Sequence, residues 1–225
     1  MRTVGDQILA HHFSLPARWD IPADIDLLHP HGGAETERVM RAFMSRYYGD
    51  TAPRVLLLGI NPGRLGAGVT GVCFTDPIRL RDPCGIDHTL KDHRELSSVF
   101  IYEMIEAFGG PEIFYRHLCI DAVCPLGFTK DGKNFNYYDR KDLQTAVRPV
   151  IEQQLITFHG IVRRPEVVFS IGQGTNFKFL QQLNKELGLF EKVVPLPHPR
   201  WVMQYRLKRK AEYVQEYLEK IGTYI

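Results

Sequence analysis

At 225 residues, 44% of them hydrophobic and 24% charged, the chain falls in the ordinary globular range and is long enough to bury one sizeable core. The apolar content and the 11% aromatics exclude a disordered chain, and no apolar stretch approaches the roughly 18 residues that a membrane span needs. A net charge of +2 is too small for the whole surface to attract nucleic acid, so any such binding must be local.

The start, MRTVGDQILAHHF, has neither the uninterrupted apolar centre nor the small-residue cleavage site of a secretory signal. A reducing cell interior is therefore expected, cytoplasmic and associated with the nucleoid if the source is bacterial. With Pro16, Pro22 and Pro30 and little periodicity, residues 1–33 read as an irregular lead-in carrying at most one short helix. From Ala34 to Tyr48, Val39, Met40, Phe43, Met44 and Tyr47 recur at helical spacing. Pro53 then precedes the short apolar run Val55 to Ile60, the first of four expected buried strands. The other three are Leu118 to Val123, Glu166 to Ile171 and Lys192 to Leu196, each rich in Val, Ile and Leu.

Helical patterns fall between them, at about Glu95 to Phe108, Lys141 to Phe158 and Gly174 to Leu187, with a last one from Gln204 to Ile221. The alternation predicts an α/β fold, a three-layer α/β/α arrangement around a central four-stranded parallel sheet. No repeat, low-complexity tract or linker divides the chain, so residues 1–225 are read as a single domain. In such sheets ligands collect at the carboxyl ends of the strands, and the loops there are the candidates for function.

The cysteines, Cys73, Cys84, Cys119 and Cys124, form no C-x-x-C pair and read as free thiols, with a four-cysteine iron–sulfur site as the alternative. The loop after the first strand runs from Gly59 through Ile60-Asn61-Pro62-Gly63 to Phe74 and is rich in glycine. Within it Gly66, Gly68 and Gly71 spell G-x-G-x-x-G, which raises a dinucleotide-binding oxidoreductase as one reading. Against that reading, Asn61-Pro62-Gly63 intervenes after the strand, and Pro77, Arg79, Arg81 and Pro83 follow where a helix should open.

After the fourth strand stands Pro197-His198-Pro199, a histidine between two prolines that restrict the backbone around it. Both segments leave parallel strands at the same end of the sheet, so Asn61 and His198 are expected to face one pocket. From Arg200 to Lys210 the chain carries Arg200, Arg206, Lys208, Arg209 and Lys210 with no acidic residue, a local basic patch suited to phosphates, or else a solvated helix start.

These segments resemble the paired motifs of the uracil-DNA glycosylase superfamily, most closely the single-strand-selective monofunctional enzymes, in a bacterial-type variant. The family's G-M-N-P-G and T-G-V-P-F elements are matched by Gly59 to Gly63 and by Thr70-Gly71-Val72-Cys73-Phe74, and its second motif by His198-Pro199. Glu95-Leu96-Ser97-Ser98 and the stretch Gly110 to Phe128, with Cys124-Pro125-Leu126, also look like the family. The resemblance covers roughly Ala34 to Leu218.

It implies a monofunctional DNA glycosylase that hydrolyses the N-glycosidic bond of uracil or a related deaminated base and leaves an abasic site, with no cofactor and no metal. Asn61 would position the attacking water and His198 would assist the departing base. Phe74 would stack on the extruded base, with Ile60, Pro62, Gly63 and Ala122 around it. Arg200, Trp201, Met203 and Arg206 would contact DNA, with Trp201 a candidate wedge. The implied partner is single- or double-stranded DNA, without membrane, and the protein is expected as a monomer; a catalytically inert DNA-binding relative is the other alternative.

Two departures matter. An asparagine that reads the base in the family is replaced by Ala122, which predicts a small cavity there, and strand alternation turns the neighbouring Asp121 to the opposite face. The residues after His198-Pro199 also differ from the family's, so the wedge itself is expected to differ.

Overall fold

The structure, a computed structural model, describes residues 2–29 and 31–225. In chain order the elements are α1 (Val4–Phe13), β1 (Asp26–Leu28), α2 (Ala34–Tyr47), β2 (Val55–Gly59), α3 (Ala67–Thr70), α4 (Pro77–Arg81), α5 (Leu96–Phe108) and α6 (Pro111–His117). There follow β3 (Leu118–Ala122), β4 (Gly127–Lys130), β5 (Lys133–Phe135), α7 (Lys141–Val162), β6 (Val168–Ile171), α8 (Thr175–Leu187), β7 (Val193–Leu196), α9 (Pro199–Tyr205), a 3-10 turn (Leu207–Arg209) and α10 (Lys210–Gly222).

The four strands read from the sequence form the expected parallel sheet, in the order β3-β2-β6-β7, with helices on both sides. Their continuous apolar runs are explained by burial on both faces: every residue of β2, β3 and β6 is buried. Parallel pairing brings the carboxyl ends of all four strands to one side, where the loops after β2, β6 and β7 meet. Register fixes the details there, with Gly59 of β2 opposite Ala122 of β3 and Ser170 of β6 opposite Pro195 of β7.

The lead-in holds the one short helix allowed for it: α1 is opened by a capping box in which Thr3 and Asp6 satisfy one another's backbone N–H groups, and it buries Val4, Ile8 and Leu9 against the core. Pro30 lies outside the described residues. Three expectations need correction. A second, antiparallel sheet, β1-β4-β5, was not foreseen from the alternation, because its strands are three or four residues long and mix polar with apolar side chains. A short helix, α4, forms over Pro77–Arg81 where the prolines argued for loop, since Asp76 caps it and Pro77 occupies its first turn. The expected single helix from Gln204 to Ile221 is two, α9 and α10, separated by the 3-10 turn.

The break has a local cause. His198 serves as the N-cap of α9, accepting the backbone N–H of Arg200 on its side chain, and Pro199 starts the helix where its missing N–H costs nothing. Helix α9 therefore begins earlier than the periodicity suggests and ends at Arg206, after which the chain turns to lay α10 along α5.

Candidate active site

At the carboxyl ends of β2, β6 and β7 lies a cavity of about 620 Å³. Its wall brings together Ile60, Asn61, Gly63 and Phe74 from the loop after β2, and His198, Arg200 and Trp201 from the loop and helix after β7. The sequence expectation that Asn61 and His198 face one pocket is thus met in the fold. Of the other residues singled out, Pro62, Ala122, Met203 and Arg206 do not line it. Pro62 is buried beside the second sheet, and Met203 packs against the core. Ala122 is also buried and stands outside the cavity wall.

The Phe74 backbone is left-handed, with φ of 54°, a strained conformation for a bulky residue. That turn lays the ring over the end of β2, against Gly59, on the sheet face toward which the opposite Ala122 also points. Asp121 points the other way, as alternation requires. Its carboxylate accepts from His12 Nε2 at 3.0 Å and from Gln154 Nε2 at 2.8 Å, so it ties β3 to α1 and α7 and stays out of the cavity.

The amide of Asn61 is held at both ends by the segment that follows β5. Its Nδ2 donates to the Phe135 carbonyl at 3.3 Å and its Oδ1 accepts from the Tyr137 N–H at 3.2 Å. These two contacts fix which way the amide faces, because reversing it would set donor against donor and acceptor against acceptor. Tyr137 is itself anchored, its hydroxyl donating to Asn176 Oδ1 at 2.8 Å within the buried layer beneath the loop after β6. The same hairpin supplies Asn134, Asn136 and Tyr138 to the cavity wall, and Asn134 Oδ1 accepts the Arg64 N–H at 3.0 Å.

None of these hairpin residues was identified from the sequence. The signal that finds them is Asp131-Gly132 between Lys130 and Lys133, a two-residue turn with both φ values positive, 50° and 68°, as the tight hairpin requires.

His198 has a defined proton. Because its Nδ1 accepts the backbone N–H of Arg200, the hydrogen of the neutral ring sits on Nε2. Burial, with the positive charge of Arg200 adding to it, holds its pKa down at about 4, so the ring is neutral near pH 7 and offers one N–H donor. On the rim, the guanidinium of Arg206 stacks 4.9 Å from the Trp201 ring centre, and Trp201, Tyr205 and Leu207 present apolar surface to solvent.

The glycine-rich loop does not form a dinucleotide cradle. A side chain on Gly66 would collide with the Glu95 carboxylate and one on Gly68 with the Gly63 carbonyl, while Gly71 is left-handed against Met40. The N–H groups that a pyrophosphate would need are already spent: Gly66 and Gly68 donate to Gly63 and Gly71 to Ala67. The four cysteines are free thiols, Cys119 on β3 and the others in loops, and three of them are buried.

Comparison with known proteins agrees with this fold. A crystal structure of wild-type Pedobacter heparinus SMUG2 superposes with a TM-score of 0.95 and 39% identity, over 99% of this chain and 98% of that one. The single-strand selective monofunctional uracil-DNA glycosylase of Rattus norvegicus is 29% identical over 117 residues, covering 44% of this chain and 42% of that protein. The chain thus spans about two fifths of the length of that curated relative. The family model of the Uracil DNA glycosylase superfamily matches residues 46–222, which take in both strand-end loops and the cavity between them, and the chain belongs to that superfamily.

Proposed function

We propose that this protein is a monofunctional DNA glycosylase that hydrolyses the N-glycosidic bond of uracil or a related deaminated base in DNA, acting as a monomer in base excision repair. The observation that carries the reading is the pairing, across one cavity, of an orientationally locked amide on Asn61 with a neutral, Nε2-protonated His198.

Breaking a glycosidic bond builds positive charge on the sugar and negative charge on the departing base. A neutral imidazole N–H aimed at the base oxygen stabilises that charge as it forms, and does so more in the transition state than in the ground state. With Nδ2 donating to the carbonyls of Phe135 and Pro62, the remaining lone pair of Asn61 Oδ1 orients water toward the sugar. Phe74 offers a ring face to an extruded base, which offsets part of the stacking lost on flipping. The rim residues Arg200, Trp201 and Arg206 meet the DNA backbone and the gap left by the flipped base.

Among the described residues, no lysine lines the cavity. A Schiff base to the opened sugar therefore has no nearby amine, which favours simple hydrolysis over strand cleavage by the enzyme. With alanine at position 122, no amide there reads the base edge, so weak discrimination among uracil, hypoxanthine and xanthine is expected.

The test is incubation of end-labelled single- and double-stranded oligonucleotides carrying one uracil, followed by alkali. Strand scission that depends on both enzyme and alkali supports the reading. Binding without scission would assign the inert DNA-binding role, and scission without alkali would assign a lyase.

A further inference from the structure

Glu95 precedes α5 and lines the same cavity as Asn61 and His198. It is the one carboxylate among the described residues of that wall, and no arginine or lysine is paired with it. Its Oε2 accepts the Ser98 hydroxyl at 3.1 Å, whereas among the described residues none donates a hydrogen bond to its Oε1. Its backbone N–H is held by the buried Asp76 carboxylate at 2.8 Å. The glycine-rich loop folds around the carboxylate: a methyl group on Gly63 would lie 2.8 Å from Oε1, and one on Gly66 would overlap Oε2. Two glycines of the loop that carries Asn61 thus leave room for a carboxylate, not for a ligand phosphate.

Asn61 cannot take up a proton, and its amide is already committed to Phe135 and Tyr137. His198 is turned so that Nε2–H is a donor, which suits the departing base and not the entering water. The proton released when water adds to the sugar therefore needs another acceptor. We propose that Glu95 is the catalytic base of this site, accepting the proton of the attacking water on Oε1 while Asn61 holds that water in line.

In this step the water oxygen bonds to C1′ as the C1′–N bond breaks, and the bonding pair leaves with the base as its anion, stabilised by His198. The water proton passes to Glu95 and from there to solvent, and the released base is protonated from solvent. The ionised carboxylate also faces the cationic sugar with an opposite charge. The charged groups facing Glu95 are Asp76 and Arg200. Burial raises its pKa most, the Ser98 hydroxyl lowers it, Asp76 raises it and Arg200 lowers it, for a net rise that makes the carboxylate more basic than an exposed one.

This rests on the glycosylase reading, and the test separates the two. Single-turnover base release from a uracil-containing single-stranded oligonucleotide is measured for the full chain and for Glu95→Gln and Glu95→Asp across about pH 5 to 9. Glutamine keeps the shape and the Ser98 contact but cannot take a proton. The expected result is a loss of about 100-fold or more at neutral pH for Glu95→Gln, with DNA affinity within about threefold and the fall of rate at acidic pH abolished. Glu95→Asp should be intermediate and keep that acidic fall. A Glu95→Gln enzyme within about threefold of wild type, or one that is slower but retains the wild-type pH profile, would overturn the inference while leaving the glycosylase reading intact. An inactive wild type would overturn both.

Discussion

A methyl group on Gly59 would lie 2.7 Å from Cε2 of Phe74, so a ring that lines the cavity stands where β2 lacks a side chain. Position 59 is thus reserved for glycine by packing, and the strained backbone of Phe74 is held by what it packs on. Gly59→Ala should push the ring out of the cavity, slow base release by about tenfold or more and lower stability by about 1 to 3 kcal/mol. Single-turnover kinetics and urea denaturation measure both; a rate equal to wild type would separate the ring position from the reaction.

Asn61→Ala should lower base release by at least about 100-fold with DNA binding preserved, because an ordered water is lost along with its hydrogen bond. Asn61→Asp is the more informative change. It would set a carboxylate oxygen against the Phe135 carbonyl, 3.3 Å away from the present donor, so it should not restore the wild-type rate despite adding a base. An aspartate variant as fast as wild type would show that the orientation of the amide is immaterial.

His198 should titrate at about pH 4 and carry its neutral-state proton on Nε2, which ¹⁵N-detected imidazole spectra resolve directly. The folded pKa lies below the ordinary imidazole value of 6.5, so folding favours the neutral ring. That contribution is complete above pH 6.5 and is lost as pH falls through about 4, so acid should destabilise the native protein more than His198→Gln. His198→Ala should also slow release of uracil more than release of 5-fluorouracil, the better leaving group; equal losses would remove the leaving-group role.

Among the described residues Arg206 has no carboxylate partner, and it lies over the exposed Trp201. Arg206→Ala should weaken binding alike for every DNA sequence and flatten the salt dependence by about one unit. A salt titration with unchanged slope would leave Arg206 as a solvated surface residue.

Away from the site, Arg54 is fully buried and donates to the carbonyls of Tyr47, Ala52 and Tyr115 and to the Asp50 carboxylate. Arg54→Met leaves three carbonyls without a donor and should cost about 3 to 5 kcal/mol in urea denaturation, with base release unchanged in the folded fraction. A loss below about 1 kcal/mol would mean that water replaces the guanidinium.

The parallel sheet was legible because a strand buried on both faces is mostly apolar, and β2, β3 and β6 are, with Asp121 and Ser170 as their buried polar exceptions. The two strand-end loops were legible for a related reason: Asn61-Pro62-Gly63 and Pro197-His198-Pro199 restrict the backbone locally, so composition alone marks them. What the tertiary structure decided are relationships between distant segments. The hairpin from Gly127 to Phe135 carries its signal in Asp131-Gly132, yet nothing local tells that its end grips the Asn61 amide. The glycines at 63 and 66 look like a phosphate loop until Glu95, some thirty positions away, fills the space they leave. Ala122 reads as the place of a missing base reader, yet the tertiary structure leaves it buried outside the cavity wall and sets the Phe74 ring, over the paired strand, in that wall. In each case the sequence states which groups can bend or bond, while the partner is chosen by strand register and by helices packed from far along the chain, which no local pattern encodes.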